Sequence, residues 1–314
     1  MDEETAFLAE IRRRYWDDAP RLIYADWLEE QGEEPRAEFI RVQCELERMA
    51  WFDPARPELA LRERTLQNEH SREWAAPALE LGAQRVTFSR GLIEGVEISG
   101  GAMLTAGVEL FRRCRTVRMA TVSLHNVTLA RFLQSGLVAF LTELTLANNR
   151  LPDRALEQLA ESRDLGRLIS LNLAYNEFET RGVRALAESG TLGNLRLLNM
   201  TGNRLGGRAI DLLPGPRLKR LSRLNLSENR LDAAGLWSLF QRLPQSGVRS
   251  LNVSDNHIHT LHDHVRFPIG LARLESLALG GNPVGDAMAG SLAESRHVAG
   301  LVRLDLQRSG VSPV

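Results

Sequence analysis

The chain has 314 residues, a formal net charge of −1 and two cysteines. Its acidic start, Met-Asp-Glu-Glu, and the lack of a long apolar run argue against a secretory leader and a membrane span. Cys44 and Cys114 read as buried thiols in a reducing compartment, so a soluble cytoplasmic protein is expected.

The first eighty or so residues carry helical spacing. Phe7, Leu8 and Ile11 share one face, and Leu22, Ile23, Trp27 and Leu28 share another before Gly32, a helix stop. Pro35 opens a third helix through Phe39, Ile40, Val42 and Leu46, and a fourth covers roughly 57–74. Residues 84–98 read as a hairpin around Ser89-Arg90-Gly91. It is expected to cover the first edge of a sheet built by the rest of the chain. Residues 1–84 hold 20 acidic and 11 basic side chains, against 20 and 28 in the remainder. This asymmetry either helps two parts dock, steers a partner, or describes two solvated surfaces. Of 39 basic residues only Lys219 is lysine, a bias that fits a GC-rich bacterial genome.

From Leu141 onward one pattern, L-x-x-L-x-L-x-x-N-x-L, recurs seven times. Its copies start at Leu141, Leu168, Leu195, Leu221, Val248, Leu274 and Leu301, 26 or 27 residues apart. Leu144 and Leu146 are two apart and point one way in a strand, leaving Glu143, Thr145 and Ala147 on the other face. Leu156, Leu159 and Ala160 then fall at helical spacing. Each unit is thus a strand, a turn and a returning helix, and must stack on its neighbours to bury its leucines. The pattern asparagines are Asn149, Asn176, Asn203, Asn229, Asn256 and Asn282, with Ser309 in the last copy. They are expected to form a ladder satisfying turn backbone groups. A degenerate first copy places Cys114, Val117 and Met119 on leucine positions and Val122 on the asparagine position. Pro214 and Pro216 predict the shortest helix in the repeat starting at Leu195.

These units, such as "LNLSENRLDAAGLWSLFQRL", resemble the ribonuclease-inhibitor type of leucine-rich repeat. The resemblance implies an α/β solenoid with a concave parallel sheet and convex helices. The segment "DDAPRLIYADWLEEQGEEPRAEFIRVQ" resembles the repeat-companion module of planctomycete and myxobacterial proteins, a small all-α module, and "FSRGLIEGVEI" resembles the segment joining it to its repeats. The expected division is a helical companion domain over 1–83, a capping hairpin and helix over 84–113, and about eight repeat units over 114–314.

Site candidates come from the register. The outward middle row is Thr145, Asn172, Asn199, Asn225, Asn252, Ala278 and Asp305. The next is Ala147, Ala174, Thr201, Ser227, Ser254, Gly280 and Gln307, and beside it run Asn148, Tyr175, Gly202, Glu228, Asp255, Gly281 and Arg308. Asn172, Tyr175, Asn199, Asn225, Glu228, Asn252 and Asp255 are the expected protein-binding residues, with Tyr175 as anchor. His257, His259, His262 and His264 suit zinc or nickel in type and are weak candidates for it, but a polar turn entering a helix explains them better, so no metal is assigned. Asp17, Asp18 and Asp26 form a carboxylate cluster, of which N-capping explains at least one. Trp27, Trp51 and Trp74 read as core of the small domain.

No phosphate-binding loop, nucleophile elbow or zinc helix motif occurs. The expected function is a non-enzymatic scaffold binding a protein partner on the concave face. No cofactor, nucleic acid or membrane is expected, and the oligomeric expectation is a monomer or weak self-association at an open C-terminal edge. Two alternatives stay open: a regulator of a small GTPase, since the repeats resemble those of Ran GTPase-activating proteins, or an adaptor acting through the helical module.

Overall fold

The computed structural model describes residues 2–125, 127–210, 212–215, 217–259 and 269–312. The chain separates into two compact units, Met1–Thr121 and Val122–Val314.

The first unit begins with four helices, α1 (Glu3–Arg13), α2 (Ala19–Glu30), α3 (Glu34–Arg48) and α4 (Arg56–Leu79). Asp2 caps α1 by accepting the Thr5 N–H at 2.7 Å. At α2 the Asp17 carboxylate accepts the Ala19 N–H at 2.9 Å. Helix α4 runs past Trp74 to Leu79 because Ala75, Ala76 and Ala78 favour helix and Pro77 forfeits only one bond near its end. Strands β1 (Ala83–Ser89) and β2 (Leu92–Ser99) pair antiparallel. Their two-residue turn, Arg90-Gly91, has positive φ at both positions, the hairpin geometry that matches strand twist. Helix α5 (Gly100–Arg113) comes next, capped by Ser99.

One apolar cluster of this unit gathers Ile11, Tyr24, Leu28, Ile40, Cys44 and Leu92; another gathers Phe39, Val42, Leu46 and Leu66, with Trp74 and Phe88 packed on it. Between α2 and β2, Arg21 donates to Glu94, and both side chains are essentially inaccessible. Arg118 donates to the other Glu94 oxygen at 2.8 Å, and its guanidinium lies 4.6 Å from the Tyr15 ring. A buried carboxylate between two guanidiniums is tolerable only because it is paired. One expectation is corrected. Trp51 is not core: it is 83% exposed, in the turn after α3, where no second element covers it. Leu79 is exposed at the α4 terminus.

Strand β3 (Met119–Ser123) crosses into the second unit, which continues with α6 (Leu129–Gln134). Strands β4 (Glu143–Thr145), β5 (Ser170–Asn172), β6 (Leu197–Asn199), β7 (Arg223–Asn225), β8 (Ser250–Asn252), β9 (Ser276–Ala278) and β10 (Arg303–Asp305) pair parallel in sequence order. The returning helices are α7 (Asp153–Glu161), α8 (Thr180–Glu188), α9 (Gly207–Ile210), α10 (Ala233–Arg242) and α11 (Gly285–Glu294). Among the described residues α9, at 4 residues, is the shortest, as the proline-bearing segment predicts. Pro216 itself lies outside the described residues. The pattern leucines fill the interior: Leu144, Leu171, Leu198, Leu224, Leu251 and Leu277 are all buried.

The asparagine ladder is present. Asn176 donates to the carbonyls of Leu146 and Leu173, both at 3.0 Å, and accepts the Leu151 N–H at 2.9 Å. Asn229 donates to Met200 at 2.9 Å and Leu226 at 3.1 Å, and accepts from Leu205 at 3.1 Å. Each amide therefore bonds its own turn and the preceding repeat, so the ladder stitches neighbours together. At the start, where Val122 has no polar side chain, its carbonyl accepts from Asn149 at 2.9 Å.

Candidate functional site

The strand register sets Thr145, Asn172, Asn199, Asn225, Asn252, Ala278 and Asp305 side by side, in the row read from the sequence. The side chains of Asn172, Asn199, Asn225 and Asn252 are half-buried on this face. Each uses its oxygen locally, accepting the N–H two residues on at 2.9–3.0 Å. That bond fixes the amide's rotation and leaves its Nδ2 group outward. None of the four Nδ2 groups has a protein partner among the described residues. The row thus presents four oriented donors to a groove of about 460 Å³.

A further row lines the same groove, two residues earlier on each strand: Ser170, Leu197, Arg223 and Ser250. It was not expected as a binding row, although the alternation that places Glu143 outward applies equally to these positions. Arg223 is exposed, and its guanidinium has no hydrogen bond or ion pair among the described residues. Leu197 beside it supplies apolar surface.

The expected second row is corrected in part. Ala174, Thr201, Ser227 and Gly280 are buried. Here the chain curls inward toward the ladder, and the Thr201 and Ser227 hydroxyls bond each other at 3.2 Å.

The third row, Asn148, Tyr175, Gly202, Glu228, Asp255, Gly281 and Arg308, has a shared property that composition hides. Every member has φ between +51° and +70°, the left-handed region. Glycine and asparagine adopt it at little cost and aspartate more readily than most; Tyr175, Glu228 and Arg308 are strained there. The four members that are neither glycine nor asparagine are tied in pairs. The Tyr175 hydroxyl donates to Glu228 at 2.9 Å, and Arg308 donates to Asp255 at 3.1 Å. Each pair spans two repeats and crosses the glycine between. A Cβ on Gly202 would overlap the Tyr175 ring, and one on Gly281 would overlap the Asp255 carboxylate. Tyr175 remains 47% exposed. The hydrogen bond to Glu228 raises its phenol above the ordinary range.

The other candidates separate. His257 and His259 are exposed, and His262 and His264 lie outside the described residues. Among the described residues no group of three or more His, Cys, Asp or Glu side chains is close enough to hold a metal ion. The carboxylate cluster resolves into ion pairs. Asp17 bonds Arg14, Asp18 lies 3.1 Å from Arg90 and 3.6 Å from Arg48, and Asp26 bonds Arg41 at 2.7 Å. The Asp17 carboxyl is held below its usual range, first by the Ala19 N–H and then by Arg14. A carboxylate so paired is a poor proton donor or acceptor at neutral pH. No helix among the described residues is long and apolar enough to cross a membrane.

A family model described as Leucine Rich repeat matches residues 168–187, which hold β5 and most of α8. Among solved structures the chain is similar to an internalin (inlF) from Listeria monocytogenes, at 17% identity and TM-score 0.41. That match covers 66% of this chain and 66%, just under two thirds, of the other. It is also similar to an internalin C2 from the same bacterium, at 18% identity and TM-score 0.40, covering 68% of this chain and 81% of that one. A chain of the mouse RP105/MD-1 complex matches at 18% identity and TM-score 0.45, covering 68% and 36%. No curated protein matches by sequence. The repeating strand–turn–helix unit, its asparagine ladder and the family match at residues 168–187 agree: the chain carries leucine-rich repeats.

Proposed function

We propose that the chain is a non-enzymatic scaffold that binds a protein partner on the sheet face of its repeats, concave in the ribonuclease-inhibitor type these units resemble. The observation that carries the reading is the row of oriented amides at Asn172, Asn199, Asn225 and Asn252 beside the unpaired Arg223 and the apolar Leu197. Outward N–H donors and one cation seek acceptors, so the fitting surface is rich in carbonyls or carboxylates, with one apolar side chain to cover Leu197. Tyr175, Glu228 and Asp255 form a braced rim to this groove, with Tyr175 as the aromatic anchor. The related division of labour gives 1–83 to a repeat-companion module, 84–113 to a capping segment and 114–314 to the repeats. The protein acts in the cytoplasm, without metal or cofactor.

Affinity capture from native lysate with the full-length chain tests this. Leu197→Glu with Arg223→Glu reverses the groove's chemistry at one half-buried and one exposed outward position and leaves the ladder intact. Loss of a captured protein in that variant, with retention in Trp51→Ala with Phe52→Ala, is the expected result. The opposite pattern moves the site to the exposed aromatic pair of the helical unit and favours the adaptor reading. Accelerated GTP hydrolysis by an added small GTPase favours the regulator reading.

A further inference from the structure

The first unit contains a cleft of about 500 Å³ that the scaffold reading does not use. Its walls include Tyr24, Trp27, Leu28, Trp74, Leu92 and Arg36. Arg36 is the informative member. It sits in the first turn of α3, where the helix dipole disfavours a cation. Its guanidinium carbon lies 4.7 Å from the Trp74 ring centroid and 5.4 Å from that of Phe88. Trp74 is itself held by stacking on Phe39 at 4.9 Å and His70 at 5.1 Å. The Arg36 Nη1 atom is buried and has no hydrogen-bond partner. Burial pushes the guanidinium down to about 10, against its ordinary strongly basic value.

Other buried charges in this unit face an opposite charge, although one Asp18 oxygen and the Nε atoms of Arg21 and Arg90 also lack a hydrogen bond: Glu94 has two arginines, and Asp18 has Arg90 and Arg48. Arg36 differs in having no ion-pair partner among the described residues, at a helix end that disfavours a cation. Stacking on Trp74 explains its position but satisfies no N–H. A guanidinium without a hydrogen-bond partner among the described residues, fixed against an aromatic wall and lining a cleft, is a group that a planar two-oxygen acceptor can satisfy.

We infer that this cleft binds a monocarboxylate with an apolar or aromatic body, its carboxylate on Arg36 and its body against Trp27, Leu28 and Leu92. Glu4, Glu33 and Glu73 also line the cleft, together with Arg113 and Arg115. Beyond Arg36 the lining thus holds three carboxylates against two guanidiniums, which disfavours a ligand with several negative charges and favours a single carboxylate. The carboxylate belongs either to a free small molecule or to an acidic residue within a peptide, and the test separates the two.

Calorimetric titration of the full-length protein with N-acetyl-phenylalanine, its carboxamide and the capped peptide acetyl-Phe-Glu-Phe-amide is the experiment. Saturable binding of at least one carboxylate probe is expected, with the carboxamide weaker by about tenfold or more. Arg36→Gln should lose that binding by a similar factor, while Arg85→Gln, at a largely exposed side chain, should keep it. Binding of the capped peptide alone assigns the carboxylate to a protein segment; binding of N-acetyl-phenylalanine assigns it to a free ligand. If Arg36→Gln fails to fold, Arg36→Lys keeps the charge and removes the fork, and weakened binding there supports the site. Equal binding by Arg36→Lys, equal binding of the carboxamide, or no binding of either carboxylate at about 10 mM overturns the proposal.

Discussion

Two kinds of asparagine recur in this protein, and their burial separates them. Asn229 is buried, donates to the Met200, Leu226 and Ser227 carbonyls and accepts from Leu205. Asn225, four residues earlier, is half-buried and satisfies one local N–H. Removing a buried amide strands groups that water cannot reach, at about 1–3 kcal/mol each, whereas a group near solvent finds water instead. Asn229→Ala should therefore cost about 3 kcal/mol in denaturant unfolding and Asn225→Ala less than about 1 kcal/mol. Equal costs would mean the ladder is not what holds the turns. The cysteines give a pH-dependent counterpart. Burial pushes Cys44 up to about 12 and Cys114 up to about 11. An unfolded thiol titrates near ~8.5, so the folded state retains protons that the unfolded state releases. Their contribution is intact below about pH 8.5 and is lost as pH rises toward the folded values. Iodoacetamide at about pH 8 should label both thiols only after unfolding, because the folded protein holds little thiolate; fast labelling of the native protein would contradict this.

The turn after each strand is the element where the sequence pattern and the fold diverge most. The left-handed position costs a non-glycine residue about 1–2 kcal/mol, yet Tyr175, Glu228, Asp255 and Arg308 occupy it. The glycines between them are required twice, by their own φ and by the side chain laid across them. Gly202→Ala should therefore destabilise by about 2 kcal/mol in the wild-type background and by about 1 kcal/mol with Tyr175→Ala, a non-additivity that a double-mutant cycle measures. Additive costs would show that the ring does not bear on Gly202. Strands, ladder and the short α9 were legible in the sequence because each role recurs at a fixed period or is marked by proline. The Tyr175–Glu228 and Asp255–Arg308 braces were not, because they join every second repeat and a single-repeat period averages them away. Leu197 and Arg223 were not expected at the site, although the strand alternation points them outward. Trp51 was misplaced because tryptophan in a helical region suggests core, and only the fold shows that nothing covers that turn. Arg36 carried no signal at all among 11 basic residues in the first 84.

Within Val122–Val314 each strand bonds only its sequence neighbours, and each ladder asparagine reaches one repeat back. Stability in such an array is close to a sum of nearest-neighbour interfaces, so it need not be uniform. The interfaces around β5 to β9 have the fullest set of bonds: buried asparagines at 176, 203, 229, 256 and 282, and buried leucines on both sides. The interface at β10 is weaker. Its ladder residue is Ser309, whose hydroxyl bonds, among the described residues, only the Leu306 carbonyl, and Leu304, at a pattern leucine position, is 43% exposed. Amide hydrogen exchange should accordingly show the greatest protection at Leu171, Leu198, Leu224 and Leu251, and protection at Leu304 lower by at least about tenfold, since one interface differing by about 1.4 kcal/mol gives that ratio. Asn203→Ala should lower protection most in the repeats bearing β5 and β6, which that amide joins through the Leu173 and Met200 carbonyls, and less at β9. A uniform fall along the whole array would show instead that the repeats open as one cooperative unit, with coupling stronger than the nearest-neighbour bonds account for.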